Sequence, residues 1–469
     1  MRDDEILDIC TRYFRDKNIR AWVVGGYVRD SLLKRTFSGD IDIALPGNTL
    51  PHGKALARLL KGTMVPLSKA FGITRVALKN GATVDLSKFR RKSIEEDLLK
   101  RDFTINALAF CVFERKVILD PSGGLKDLHK HTVRMVSKAA LLEDPVRLLR
   151  AFRFSATLSF TIEDKTLLAI SNLAEKLASP ASERIRDEIL KLLTVNSAAA
   201  HIVAADRAGI LTGIFPELSA TKGVGQPGYH HLDVFNHTLE CLAQLENNAG
   251  LSSFKLDEET RIFILGRLNR KLGQFTSLAH LKLAALFHDI AKPETKTPGT
   301  DGGAHFYNHE IKGSKVFAAA GKRLKLSNLE IAAGVSVIRN HLRVGYLAGL
   351  KSITKRALYR FLRDSGDFTA ELLLLSWADR LSARGPKVKK TDVETHRQLI
   401  ARLFAEYYKT ASAIPLPKLI DGNAVMKKFK LKPGKPLGEL LDAVKEAQAI
   451  GNVTTRKEAF DLIKELLRS

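Results

Sequence analysis

Cysteine is scarce in this 469-residue chain: Cys10, Cys111 and Cys241 are the only three, and none sits in a CxxC or other metal-binding spacing. A disulfide framework and a cysteine-ligated zinc site are thereby excluded. Long hydrophobic runs are also missing. No stretch reaches the roughly 18 apolar residues of a membrane span, and the opening Met1-Arg2-Asp3-Asp4-Glu5 has no basic segment leading into an apolar one. The expectation is a cytoplasmic protein with no membrane contact. There is no internal repeat, no low-complexity tract and no Walker-type GK[ST] sequence.

Acidic residues are in deficit. The 51 Asp and Glu face 75 Lys and Arg, a net charge of +24 that favours a polyanionic partner through phosphate neutralisation and counterion release. With 45% hydrophobic and 27% charged residues most of the chain should fold, and its length suggests about three domains.

The pattern along the chain divides it into four. Residues 1–130 alternate short apolar runs (Ala21 to Val24, Ile41 to Leu45, Thr74 to Leu78, Thr83 to Leu86) with helix-like segments, predicting an α+β head with a mixed sheet. Helical periodicity takes over in 131–225, as in Ala139 to Thr157 and Glu183 to Val195, and predicts an all-α neck and body. Residues 226–385 form a second helical domain rich in histidine. Residues 386–469 read as a basic helical tail with a break at Lys432-Pro433-Gly434-Lys435-Pro436.

Four motifs in the first 155 residues carry chemistry. In Trp22-Val23-Val24-Gly25-Gly26-Tyr27-Val28-Arg29-Asp30 a strand runs through a glycine pair into a helix, which lets backbone N–H groups approach a phosphate while Arg29 adds donors. In Gly39-Asp40-Ile41-Asp42 the carboxylates stand two apart, so on a strand they share one face and suit Mg²⁺ on a substrate phosphate. Asp85 offers a third carboxylate on a neighbouring strand. The remaining two motifs are Arg101-Asp102-Phe103-Thr104-Ile105-Asn106-Ala107 and Glu143-Asp144-Pro145-Val146-Arg147-Leu148-Leu149-Arg150-Ala151-Phe152-Arg153. Read as one helix, the latter sets Asp144 beside Arg147 and Arg150, with Arg153 roughly 120° round from Arg147. Such a pair can face a nucleobase edge or form a plain surface ion pair.

Together and in this order the four motifs resemble the class II tRNA nucleotidyltransferases, relatives of bacterial poly(A) polymerase within the polymerase β superfamily. The run from Leu419-Ile420-Asp421-Gly422 to Thr455-Arg456-Lys457-Glu458-Ala459 resembles the tail of their longer members. The resemblance implies addition of CCA, or part of it, to the tRNA 3′ end from CTP and ATP without a nucleic-acid template. It also implies Mg²⁺ on Asp40 and Asp42 with Asp85 in support, triphosphate at Gly25, Gly26 and Arg29, and nucleotide held by Arg101, Asp102, Asn106, Asp144, Arg147, Arg150 and Arg153. Asp144 and Arg147 would serve as the amino-acid template. Lys100 departs from the second Arg found there in many members, which keeps the charge but weakens a bidentate contact.

In the histidine-rich stretch, His237, His288-Asp289, His309, His341 and Asp379 offer a mixed nitrogen and oxygen donor set for a second divalent cation, a transition metal or Mg²⁺. Their order resembles the HD phosphohydrolases. That implies phosphatase or 2′,3′-cyclic phosphodiesterase action on RNA ends. His230, His231 and His305 fall outside the motif and read as surface residues.

Two rival readings remain. A poly(A) polymerase shares the catalytic motifs, but the glycine and twin-basic strand expected in that branch is replaced by Leu67-Ser68-Lys69-Ala70-Phe71-Gly72-Ile73. A noncatalytic RNA-binding scaffold conflicts with two intact sets of ligands. Finally, only Arg91, Lys92, Ser93 and Ile94 separate Arg90 from Glu95-Glu96-Asp97-Leu98. The resemblance implies a flexible loop of roughly ten to twenty residues here in CCA-adding members, a lever for switching from C to A. Its lack predicts addition of CC only; a loop merely shortened, or relocated to residues 46–54, would instead let the enzyme complete CCA.

Overall fold

Alternating burial marks the Ile73–Ala77 and Thr83–Lys88 strands of the head, whose Val76, Val84 and Leu86 enter the core. The strands are Trp22–Val24 (β1), Asp40–Leu45 (β2), Thr63–Ser68 (β3), Ile73–Ala77 (β4), Thr83–Lys88 (β5), Ala109–Cys111 (β6) and Glu114–Leu119 (β7). They form one sheet in the order β3-β4-β5-β2-β1-β6-β7, as seen in a computed structural model that describes residues 2–35, 39–68, 72–89, 92–178, 182–226, 228–299, 304–350, 352–414 and 416–468. Lys69, Ala70, Phe71, Arg90 and Arg91, which carry two of the expectations above, lie outside them. The chain forms two compact units, residues 1–216 and 217–469.

Within this sheet, among the described residues, only β2 and β5 pair in parallel, in a register that sets Asp42 opposite Asp85 and Asp40 opposite Thr83. Ile41 and Ile43 are fully buried on the other face of β2. On the same face of the sheet as the carboxylates, Val24, Ala44 and Ala109 join Ile94, Leu98 and Ala107 in one apolar cluster, so packing fixes the strands that present them. Residues 46–54 are no long loop: a short turn enters the Leu50–Leu59 helix. The suggestion that a mobile loop moved there is therefore corrected.

The expected single helix through Asp144 is broken. Lys138–Glu143 ends at Asp144, which is extended (φ −144°, ψ 92°), and a new helix runs Val146–Leu158. Pro145 is the reason, since its ring disfavours helical backbone in the residue before it. Ser182–Leu193 supplies the helix packed against Val146–Leu158.

The second unit is helical. Leu372, Leu373, Leu374 and Leu375 of the Thr369–Ser382 helix are all buried, as befits a helix apolar all round. They share a core with Cys241 and Leu245 of Val234–Asn248 and Leu281 of Ser277–Ala285. Leu399, Ile400, Leu403 and Phe404 belong to this core too. The helix Lys390–Ser412 is thus part of the histidine-rich domain, and the tail begins later than residue 386. The helices Gly422–Phe429, Lys435–Ala449 and Arg456–Leu466 have a separate core around Val425, Val444, Ala459 and Ile463. The break at Lys432 to Pro436 falls between the first two, as expected. Among the described residues no helix is long and apolar enough to cross a membrane.

Candidate active sites

The head site gathers three carboxylates at the edge of β2 and β5. Asp40 accepts a hydrogen bond from Thr83 Oγ1 (2.8 Å), and Asp85 is held by the bidentate guanidinium of Arg75 (2.7 and 2.6 Å). Asp42 is recessed between them. Burial is the largest influence on it and raises its carboxyl to about 6, with Asp85 and Asp40 adding to the rise and Arg101 and Arg75 opposing it. A recessed carboxylate between two others needs positive charge, and hard oxygen donors on one face fit a divalent cation such as Mg²⁺.

Gly25 makes room beside this cluster. Its backbone takes the left-handed φ of +76°, and a Cβ there would stand 3.0 Å from Arg101 Nη1 and 3.4 Å from Asp42 Oδ2. Arg101 Nε has no hydrogen-bond partner among the described residues, so this guanidinium retains donors at the site. Gly26 opens the short Gly26–Leu32 helix.

Arg29 differs from its expected role as an open fork of donors. It is buried, with Nε and Nη2 on Asp30 (2.9 and 2.8 Å) and Nη1 on the Asn106 side-chain oxygen (2.7 Å). Asn106 Nδ2 in turn donates to Asp102 (3.1 Å), and Asp102 receives Arg150 Nη1 (2.9 Å). Burial alone would raise the Asp102 carboxyl, yet Arg150, Asn106 and the Phe103 N–H outweigh it and hold it at about 2. Arg150 Nε reaches Glu188 (3.0 Å), which also takes Arg153 Nε (2.5 Å). Arg153 and Arg150 thus converge on one acid despite their angular offset. Arg153 also lies over the Phe154 ring at 4.0 Å.

Glu188 was missed in the sequence reading. Within Ser182-Glu183-Arg184-Ile185-Arg186-Asp187-Glu188 it looks like one more acid on a charged helix face. The usable signal was its place between Ile185 and Ile189, on the buried side.

Asp144 lies off the helix that bears Arg147, yet the two stay adjacent: Arg147 Nε is 3.7 Å from Asp144 Oδ2. The closer partner is Arg184 (2.5 Å), a second residue missed. Arg147 is buried and its Nη1 donates to the Lys100 and Ala140 carbonyls (3.1 and 3.0 Å). Only the backbone of Lys100 is used there, which makes its side-chain identity immaterial to this contact.

In the second unit all six expected ligands converge. Asp289 is the hub, with His237, His288, His309 and His341 each presenting Nε2 to it at 3.5, 3.3, 3.2 and 3.7 Å and Lys292 Nζ at 2.6 Å. Asp379 joins through His237 Nε2 (2.9 Å). The four histidines and Asp289 are buried. The Nδ1 atoms of His288, His309 and His341 pair with the Ala285, Phe306 and Ile338 carbonyls (2.8, 2.6 and 2.7 Å). A nitrogen facing a carbonyl must carry the proton, which leaves Nε2 as the lone-pair donor in neutral imidazole.

These lone pairs need a cation. His309 and His341 bring their Nε2 atoms within 3.3 Å of each other, and His288 Nε2 makes no well-formed hydrogen bond although two carboxylates stand within 3.8 Å. Burial opposes charge on His288, but Asp289 and Asp379 outweigh it and lift its pKa to about 9. Two overlapping triads, His237-His288-Asp289 and Asp289-His309-His341, have the donor spacing of metal sites, and the residues fit a divalent cation.

His231 and His305 are exposed, but the reading of His230 as a surface residue is corrected. It is half-buried with Nδ1 3.3 Å from His237 Nδ1, where it can orient the ring. Burial, Lys292 and His237 push it down to about 3.

Comparisons with known proteins identify the family of the chain. The family model of the poly A polymerase head domain matches residues 21–134, that of the probable RNA and SrmB-binding site of polymerase A matches 159–222, and the HD domain matches 262–384. An A-adding tRNA nucleotidyltransferase of Deinococcus radiodurans is 34% identical over 445 residues, 94% of each chain. A CC-adding tRNA nucleotidyltransferase of Thermus thermophilus is 30% identical over 449 residues, 94% of this chain and 92% of the relative. Among solved structures a CCA-adding enzyme in complex with ATP shares the fold, with a TM-score of 0.66 at 20% identity, covering 99% of this chain and 96% of that one. A matching head, RNA-binding body and HD domain, carried over nearly the full length of its relatives, place this chain in the tRNA nucleotidyltransferase family as a nucleotidyl-transferring enzyme with an HD domain.

Proposed function

We propose that this enzyme adds two C residues to tRNA from CTP and stops before the terminal A. The observation that carries this is the join between β5 and the helix Ile94–Leu98: residues 89–93 alone connect them. A segment of that length is too short to act as a lever for re-aiming the base-reading residues. The measurement is incorporation on tRNA lacking CCA with CTP, and on tRNA ending in CC with ATP alone. Two C additions and negligible A addition are expected. The Deinococcus relative supports a second reading, A addition, and efficient single-A transfer with no C transfer would establish it in place of the first.

In this reading Asp40 and Asp42 hold Mg²⁺ with Asp85 beside them, and the cation supplies charge stabilisation at the reacting phosphate. Gly25 and Gly26 keep the approach clear. Arg101, Arg150 and Arg153 bind the nucleotide, while Arg29, Asn106 and Asp102 hold those groups in place.

Asp144 and Arg147 read the base edge. Asp144→Ala and Arg147→Ala are each expected to lower discrimination between CTP and other nucleotides by about 1–3 kcal/mol. Competition between paired nucleotides reads this out. A uniform rate loss with preference unchanged would reduce the pair to a structural contact.

The HD site, holding a divalent cation, hydrolyses phosphate monoesters or 2′,3′-cyclic phosphates at RNA ends. The bound metal would polarise a phosphoryl oxygen and lower the pKa of water, and Lys292 supplies a fixed positive charge beside Asp289.

A further inference from the structure

The helix that carries Asp379 leads into a cationic cavity that none of the chemistry above uses. The cavity is a solvent-open cleft of about 380 Å³, with Arg380, Arg384 and Lys390 among its lining residues and Leu381, Ala383, Val388 and Val393 as its apolar part. Its cations are incompletely matched. Arg384 pairs with Glu240 (2.5 Å), but Arg380 reaches its nearest carboxylate, Asp392, only at 3.8 Å. Arg380 Nε is buried and has no hydrogen-bond partner among the described residues.

The local backbone adds to the positive potential. Lys390 opens the 23-residue helix Lys390–Ser412, and the preceding Lys389 gives it no side-chain cap. Lysines at the positive end of a helix dipole repel it, Asp392 in the first turn offsets part of this, and an anion placed among them relieves the remainder. A volume near the lower end of the small-molecule range of roughly 300–1,000 Å³ admits one nucleotide.

We propose that this cavity binds a nucleoside monophosphate unit, its phosphate on Arg380, Arg384 and Lys390 and its sugar or base against Leu381, Val388 and Val393. The unit comes either from an RNA strand whose end is processed at the HD site or from a free nucleotide. The strand source rests on the hydrolase reading above; the cavity itself does not.

The test uses the full-length protein and the double variant Arg384→Gln/Lys390→Gln. Crystals soaked in CMP are expected to show its phosphate among Arg380, Arg384 and Lys390, and the variant is expected to lose it. Absence of CMP from this cavity in the unaltered protein overturns the proposal, as does its persistence in the variant. For the source, the variant's KM on RNA ending in a cyclic phosphate is expected to rise at least about 10-fold. Its kcat/KM on bis(p-nitrophenyl) phosphate, which has no neighbouring nucleotide, should stay within about two-fold. CMP in the cavity with an unchanged RNA KM assigns the site to free nucleotides. If neither ester is hydrolysed the hydrolase reading fails, and the crystals still decide the cavity.

Discussion

Asp42→Asn is expected to lower CTP incorporation by on the order of 10³-fold while leaving tRNA affinity within about two-fold. The change keeps the side chain's shape and removes one charge from the paired strands β2 and β5, where Asp40, Asp42 and Asp85 crowd together. Because burial and the neighbouring acids already disfavour ionised Asp42, the neutral amide should leave the melting temperature in metal-free buffer unchanged or higher. Primer-extension rates, filter binding and thermal melting separate the three quantities. Activity within a few-fold of the parent enzyme would remove Asp42 from the metal site, and a large fall in melting temperature would make it a structural residue instead.

The second large effect is expected at Asp289→Asn. This carboxylate touches four histidines and Lys292, so it is the one group common to both donor triads. Metal content after dialysis should fall, and phosphoester hydrolysis should drop by on the order of 10²-fold or more. Nucleotide addition should be preserved, since its residues lie in the other compact unit. Asn is preferred to Ala because it keeps the side chain's shape and an oxygen acceptor for buried Lys292, whose counter-charge either change removes. Loss of both activities in a folded protein would contradict independent sites.

The carboxylate pair was legible in the sequence because a strand has a period of two, so Asp40 and Asp42 share a face; that Asp85 stands opposite Asp42 follows from the pairing of β2 with β5, which no local pattern dictates. The HD ligands were legible through their order. What escaped were partnerships set by packing. Nothing local marks Glu188 as the acid shared by Arg150 and Arg153, or Arg184 as the nearest partner of Asp144. The helix break was different, since Pro145 announced it and the apolar periodicity on either side concealed it. His230 looked dispensable because it lacks a place in the motif, whereas its role is contact with His237. The extent of the histidine-rich domain was hidden by charge: the lysines at 387, 389 and 390 suggested a tail, while Leu399, Ile400, Leu403 and Phe404, on successive turns of one face, belonged to the core.

The chain of contacts from Arg29 through Asn106, Asp102 and Arg150 to Glu188 has a consequence for synthesis. It joins residues separated by 159 positions along the chain, so a ribosome that has released only the sheet has produced a head whose Asp102 still lacks Arg150, and Arg150 and Arg153 in turn emerge before their shared acid, Glu188. Nascent heads must wait in that state until the Ser182–Leu193 helix emerges. A gene fragment ending near residue 130 would stop there permanently, with the sheet formed and the nucleotide site unordered.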